Sequence, residues 1–246
     1  WRQLIDEHQV QATAVVATSA VRDARNREEF LNLIAREAGL QVEIISGEEE
    51  ARRTMLGIRS GLPAGVTDML AIDIGGGSTE CILERPGQPP IVRSIDIGVV
   101  RLSERVLQSD PPTAEELRQA RNWIQNETEA AVATMPVPIG LTFVGTAGTI
   151  TALAAMAQQL PAYEPARIHN YVLTLDEVKR LEAQLLSRSK QQREGLPGLE
   201  RGREDVIVAG VIILRTMMEM LGMEKVLVSD LGLREGVLLE LASRLN

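Results

Sequence analysis

Two glycine-rich turns and a few acidic side chains carry the chemistry this sequence can do. The segment Asp73-Ile-Gly-Gly-Gly-Ser-Thr-Glu80 sets two carboxylates around three successive glycines and two hydroxyl residues. Gly75, Gly76 and Gly77 let consecutive backbone N–H groups face one point, which makes an anion-binding concavity, and Ser78 and Thr79 add hydroxyl donors. Asp73, at the end of an apolar run, is placed to hold a hydrated Mg²⁺ that bridges phosphate oxygens. Glu80 is placed to orient that metal or a water. The plain structural alternative is a glycine-rich hairpin with solvated acids; two carboxylates flanking Gly-Gly-Gly-Ser-Thr favour the phosphate loop.

The second turn is Val144-Gly-Thr-Ala-Gly-Thr149, running from a strand into a helix. Gly145, Thr146 and Gly148 can present donors at the positive end of that helix, although an ordinary strand-to-helix turn has the same composition. A third segment, Ser46-Gly-Glu-Glu-Glu-Ala-Arg-Arg53, opens a helix. Ser46 and Glu49 read as a capping box, and Glu48 and Glu49 can pair with Arg52 and Arg53 one turn on. Glu50 is left without a structural task, so it is a candidate base for activating water. An acidic first turn also stabilises a helix by itself, and spacing alone favours that reading. Lastly, Arg22 follows a short strand, where it can clamp a phosphate bidentately or simply sit exposed in a loop.

The elements that must position these residues follow from the hydrophobic pattern. Residues 12–17 and 42–45 read as short strands, each followed by a helix, at 27–38 and 47–59, with Gly39 stopping the first. Strand–helix–strand–helix order implies parallel pairing and an α/β class. After a break at 61–65, residues 69–74, 79–83 and 91–97 read as three antiparallel strands joined by tight turns. A long helix capped by Thr113 and Glu116 follows, then a strand at 141–144 and a helix at 149–160. Thr174 and Glu177 cap a further helix, and an apolar one spans 205–221. A strand at 226–229 and a helix at 234–244 close the chain. Three strands followed by alternating helices and strands is the order of a ribonuclease-H-like lobe.

Composition narrows the class. The 246 residues are 44% hydrophobic but only 2% aromatic, so the core is aliphatic. A net charge of −8 argues against general affinity for nucleic acid. No apolar run approaches the roughly 20 residues of a membrane span. The single cysteine, Cys81, fits a reducing, cytoplasmic setting and reads as a core residue. His8 and His169 lack metal-ligand spacing, and the methionines at 217, 218, 220 and 223 read as core filling.

Four segments taken together, ATSAVRDARN, ISGEEEARRT, AIDIGGGSTE and VGTAGT, resemble the exopolyphosphatase / guanosine pentaphosphate phosphohydrolase family. SIDIGVVRL, REDVIVAG and VSDLGLREG extend the resemblance over nearly the whole chain. It implies the fold of the actin, sugar-kinase and Hsp70 superfamily, two ribonuclease-H-like lobes around a cleft. The division expected is a first-lobe remainder at 1–57, a second lobe at 58–231, and a C-terminal helix at 232–246 packing back on the first. The family's catalytic glutamate falls on Glu50, which reverses the reading from spacing. Its phosphate-binding arginine falls on Arg22, its metal- and water-organising acids on Asp73 and Glu80, and its second phosphate loop on Gly75 to Thr79. The implied activity is Mg²⁺-dependent hydrolysis of a terminal phosphoanhydride of polyphosphate or guanosine pentaphosphate. A kinase of the same superfamily and a catalytically silent nucleotide or polyphosphate sensor are the alternatives. Family members begin with an Asp-x-Gly-Ser-Asn-Ser-type first phosphate loop, which nothing before Trp1 supplies. The expectation is therefore an incomplete first lobe, inactive by itself or completed by another chain's strand, with a homodimer as one arrangement.

Overall fold

The computed structural model describes residues 1–138 and 140–245. Its centre is a six-stranded sheet built from β3 (Met69–Ile74), β4 (Thr79–Glu84), β5 (Ile91–Ile95), β6 (Thr142–Thr146), β7 (Val172–Thr174) and β8 (Lys225–Val228), in the order β5-β4-β3-β6-β8-β7. β3, β4 and β5 form an antiparallel meander, β6 and β8 run parallel to β3, and β7 pairs antiparallel on the outer edge. The first five strands follow the ribonuclease-H-like order, as the sequence pattern predicts.

Side chains alternate across the faces of a strand, and here the alternation separates core from chemistry. Leu70, Ile72 and Ile74 of β3, with Cys81 and Leu83 of β4, enter the larger core. That core includes α6 (Ala114–Val132), α7 (Ala147–Ala157), α9 (Leu175–Leu186) and α11 (Ile207–Met220). α11 is apolar almost all round and is buried accordingly. Met217 and Met218 are core residues, and Met223 packs against them.

The opposite face carries Met69, Ala71, Ile82 and Val144, which pack under Ala51, Met55 and Ile58 of α4 (Gly47–Gly61). α4 runs antiparallel to β3. Near its C-terminal end Arg59 pairs with Glu84 at 2.6 Å, and from its middle Thr54 reaches Asp73. One register row on this face is Thr146, Asp73, Glu80 and Ser94; the next is Val144, Ala71, Ile82 and Val92. The polar first half of α4 thus lies over the polar row and its apolar second half over the apolar one.

Beside α4 lies a two-stranded parallel sheet, β1 (Val16–Ala17) and β2 (Glu43–Ile44), connected through α2 (Ser19–Arg22) and α3 (Arg27–Ala38). α1 (Arg2–Glu7) precedes them and buries none of its residues. The strand expected at 12–17 pairs only over its last two residues. A two-strand sheet gives it one neighbour, and the ladder begins where Val15 accepts from Glu43 N. Thr18 is the N-cap of α2, which follows β1 directly.

α12 (Leu233–Leu245) lies along α4 with the two backbones in contact. A Cβ on Gly57 would fall 1.9 Å from the Gly232 carbonyl oxygen, and one on Gly236 would fall 1.7 Å from that of Arg53. The contact is reinforced by charge. Buried Arg53 lies within 3.0 Å of carboxylates of Glu43, Glu49 and Glu240, and Arg52 pairs with Glu49 and Glu240. The Arg52 hydrogen bond and charge, followed by the Arg53 charge, lower the Glu49 pKa to about 2 against its desolvation. Glu49 is therefore an ion-pair residue. Ser46 Oγ accepts from its backbone N–H at 3.1 Å, but its carboxylate turns to the arginines and the capping box is half made. Glu48 forms no ion pair among the described residues. A lobe boundary at residue 58 falls inside the continuous helix α4, which ends only at Gly61.

The remaining helices are α5 (Val99–Arg105), α8 (Pro165–Ile168) and α10 (Lys190–Arg193). No helix among the described residues is long and apolar enough to cross a membrane.

Candidate active site

Glu50 sits in the first turn of α4, above the polar row, and is 9% exposed. Its Oε2 is buried and accepts no hydrogen bond, and the nearest cation is Arg22 Nη1 at 3.8 Å, beyond hydrogen-bond range. Desolvation, then the charges of Glu80 and Asp73, raise its pKa to about 7 against the partial opposition of Arg22. A buried carboxylate poised near neutrality, with an unsatisfied oxygen, is the arrangement a general base requires.

Asp73 and Glu80 are cross-strand partners. Burial, with the Glu80 charge second, raises the Asp73 pKa to about 7; the opposing contact from Thr54 Oγ1 is long, at 3.4 Å. Burial also raises the Glu80 pKa, partly offset by hydrogen bonds from Ser94, at 2.8 Å, and Ser78. The Glu80 charge adds to burial in pushing the Cys81 thiol up to about 12, which suits a core residue.

The Gly75–Ser78 turn is braced from behind by the start of α5. Gly75 and Gly76 carbonyls accept from Val99, Val100 and Arg101 N–H, and Gly77 carbonyl accepts from Arg101 Nε. Gly98 permits this approach, since a Cβ there would fall 2.3 Å from Gly76 O. With its carbonyls held, the turn leaves the N–H groups of Gly76 and Gly77 without a hydrogen bond among the described residues. The expected strand at 91–97 ends at Ile95 because the following residues turn to support this loop.

The hydroxyls expected to face a phosphate are committed elsewhere. Thr79 Oγ1 donates to Ile97 O at 2.6 Å and is fully buried, Thr146 Oγ1 donates to Leu231 O at 3.0 Å, and Ser78 serves Glu80. Their part is to stiffen the turns. Gly145 lies within β6, where a Cβ would press on Val226 and Ile150 at 2.9 and 3.0 Å, so packing requires the glycine there. The second turn enters α7 through Ala147 in a left-handed conformation, φ 70. Arg22 is held by its Nη1 bond to Ile45 O at 2.8 Å.

Glu50, Asp73, Thr146 and Gly148 line one cleft of about 490 Å³. Its other wall holds residues that the sequence pattern did not single out as site residues: Tyr163, Glu200, Arg203 and Asp230. Arg203 lies against Gly148, where a Cβ would sit 2.3 Å from its Nη1, and its Nε donates to Glu200 at 3.0 Å. Tyr163 donates its hydroxyl to Asp230. Arg203 belongs to the REDVIVAG segment and Asp230 to VSDLGLREG, so only the resemblance marked either stretch.

Among the described residues no group of three or more His, Cys, Asp or Glu side chains forms a metal cage. Mg²⁺ does not need one, because it usually takes one or two carboxylates and completes its shell with water and substrate phosphate. Asp73 and Glu80 fit that donor set.

Relatives and solved structures agree with this architecture. The chain is 36% identical over 253 residues to exopolyphosphatase 2 of Mycobacterium tuberculosis, covering 98% of this chain and 78% of that protein. It is 32% identical to exopolyphosphatase 1 of Mycobacterium bovis over 91% of this chain and 65% of the relative. The crystal structure of the Aquifex aeolicus Ppx/GppA family member superposes with a TM-score of 0.85 at 35% identity, over 100% of this chain and 78% of that one. An exopolyphosphatase from Cytophaga hutchinsonii gives 0.88 at 28% identity, over 98% and 78%. The fold class is α/β, shared with these Ppx/GppA and exopolyphosphatase structures. The sequence profile of the Ppx/GppA phosphatase family matches residues 1–245, and the chain belongs to that family.

Proposed function

We propose that the protein hydrolyses the terminal phosphoanhydride bond of inorganic polyphosphate or of a guanosine polyphosphate, with Glu50 as the base that takes a proton from the attacking water. The observation that carries this reading is Glu50 Oε2, a buried carboxylate oxygen without a hydrogen-bond partner, in the wall of a cleft that also contains Asp73 and Gly148. An orphaned acceptor of this kind has a use when a water donates to it.

The terminal phosphate is held by the free N–H groups of Gly76 and Gly77 and by the N–H groups that open α7. Arg22, anchored on Ile45 O and facing Glu50, holds the base in place and offers its remaining N–H groups to the phosphate. Water attacks phosphorus, its proton passes to Glu50, and the bridging oxygen leaves with the shortened chain. Asp73 and Glu80 are the residues that would hold Mg²⁺, which offsets the negative charge of the substrate among these carboxylates. A cytoplasmic setting suits such a substrate and the buried thiol of Cys81.

The test is phosphate release from polyphosphate with and without Mg²⁺, in the native protein and in Glu50→Gln. Mg²⁺-dependent release that the substitution abolishes supports the reading. Undiminished release in Glu50→Gln refutes it.

A further inference from the structure

The glycine turn between β3 and β4 closes on itself once, where Gly75 N–H donates to Ser78 O at 3.0 Å. The next three N–H groups, those of Gly76, Gly77 and Ser78, make no hydrogen bond among the described residues. Their direction is set from behind. In a trans peptide the carbonyl of one residue and the N–H of the next point opposite ways, and the peptides of this turn are trans. Whatever holds the carbonyls of Gly75, Gly76 and Gly77 therefore aims the N–H groups of Gly76, Gly77 and Ser78.

The first two carbonyls are held by main chain. Val99 N–H reaches Gly75 O at 3.0 Å, and Val100 and Arg101 N–H reach Gly76 O at 2.9 and 3.2 Å. The third carbonyl differs, because its partner is a side chain: Arg101 Nε donates to Gly77 O at 2.8 Å. Arg101 also lies 3.6 Å from Asp96 and 4.0 Å from Asp23, but both carboxylates are largely exposed and both contacts are long, so they stabilise little. The short bond of this side chain goes to the turn. From the other lobe α2 limits how far the turn can move, since a Cβ on Gly77 would fall 3.1 Å from Ser19 Oγ.

We infer that Arg101 is a positioning residue for the phosphate site: by holding the Gly77 carbonyl it turns the Ser78 N–H into the concavity beside those of Gly76 and Gly77. A hydrogen bond from a cation also polarises that peptide, which strengthens the donor at its other end. The inference rests on the phosphoanhydride reading of the cleft and adds the side chain that shapes its anion site.

The experiment uses two substitutions that separate the donor from the charge. Glutamine places an amide nitrogen as many bonds from Cα as the Arg101 Nε and carries no charge, whereas methionine has the same length and no donor. The Arg101 side chain is 21% exposed, so neither change reaches the core. With inorganic tripolyphosphate as substrate, Arg101→Met raises KM about tenfold or more and changes kcat by less than about threefold, the pattern of binding lost equally from substrate and transition state. Arg101→Gln keeps KM within about threefold of the native value. A native KM in Arg101→Met overturns the inference, and so does an equal rise in both variants, which would assign the effect to charge. If the native protein releases no phosphate, the hydrolase reading fails by itself, and calorimetry with tripolyphosphate decides the inference. Binding that Arg101→Met weakens about tenfold and Arg101→Gln retains sustains it. No binding by the native protein, equal binding by all three proteins, or equal loss in both variants overturns it.

Discussion

Glu50→Gln separates the two things a buried base does, because it should remove turnover while making the protein more stable. The folded protein holds the Glu50 proton up to about pH 7, whereas an unfolded chain releases it near 4.5. Between those values the folded state binds more protons, so wild-type stability falls as pH rises through that window. At ~1.4 kcal/mol per unit, that displacement corresponds to about 3 kcal/mol lost by pH 8. Glutamine carries no charge and escapes this loss. It also forfeits the attraction of Arg22 at 3.8 Å, a long contact worth under about 1 kcal/mol. The net gain is about 2 kcal/mol above pH 7 and near zero at pH 4.5, which for a chain of this size is a melting temperature about 4–8 °C higher. Turnover falls about 10²-fold or more, and wild-type kcat/KM drops as pH falls below about 7, where the base becomes protonated. Thermal melting of both proteins from pH 4.5 to 8, beside phosphate-release rates, provides the assay. A melting difference that does not change with pH would refute the buried carboxylate, and near-wild-type turnover would remove Glu50 from the chemistry.

Asp73→Ala should lose activity and also the rise in melting temperature that Mg²⁺ gives the wild type; an unchanged Mg²⁺ titration in the variant would remove Asp73 from the metal site. Arg22→Lys should lower kcat/KM, because an ammonium cannot both hold Ile45 O and present a fork to phosphate, and unaltered kinetics would return Arg22 to a purely structural part. Gly236→Val should destabilise the protein by about 2 kcal/mol or more, since its side chain must displace the Arg53 backbone, and an unshifted denaturation midpoint would contradict the α4–α12 contact.

What the sequence pattern conveyed was whatever depends on neighbours close along the chain. The apolar run at 69–74 marked a buried strand with Asp73 near its end, and β3 forms there. The capping boxes at Thr113 with Glu116 and Thr174 with Glu177 marked two helix starts that the structure reproduces. Distant partners were not legible. Thr79 and Thr146 look like phosphate donors until Ile97 O and Leu231 O take their hydroxyls, 18 and 85 residues away. Glu50 reads as an ordinary acid in a helix start; its burial, with the carboxylates at 80 and 73 brought beside it, makes it unusual. The strand expected at 91–97 stops at Ile95, because the chain turns into α5, whose first N–H groups bond the carbonyls of the glycine turn. β7 is three residues long, too short for its alternation to register.

The glycine contact between α4 and α12 also orders events during synthesis. Arg53 and Gly236, which touch, are separated by more than 180 residues, so α4 leaves the ribosome long before the helix that steadies it. At translation rates of about 5–20 residues per second, the delay is roughly ten to forty seconds. Through that interval the helix bearing Glu50 has no α12 beside it, and the guanidinium of Arg53 lacks its Glu240 partner. The nascent chain therefore carries an α4 without its flanking support until α12 docks.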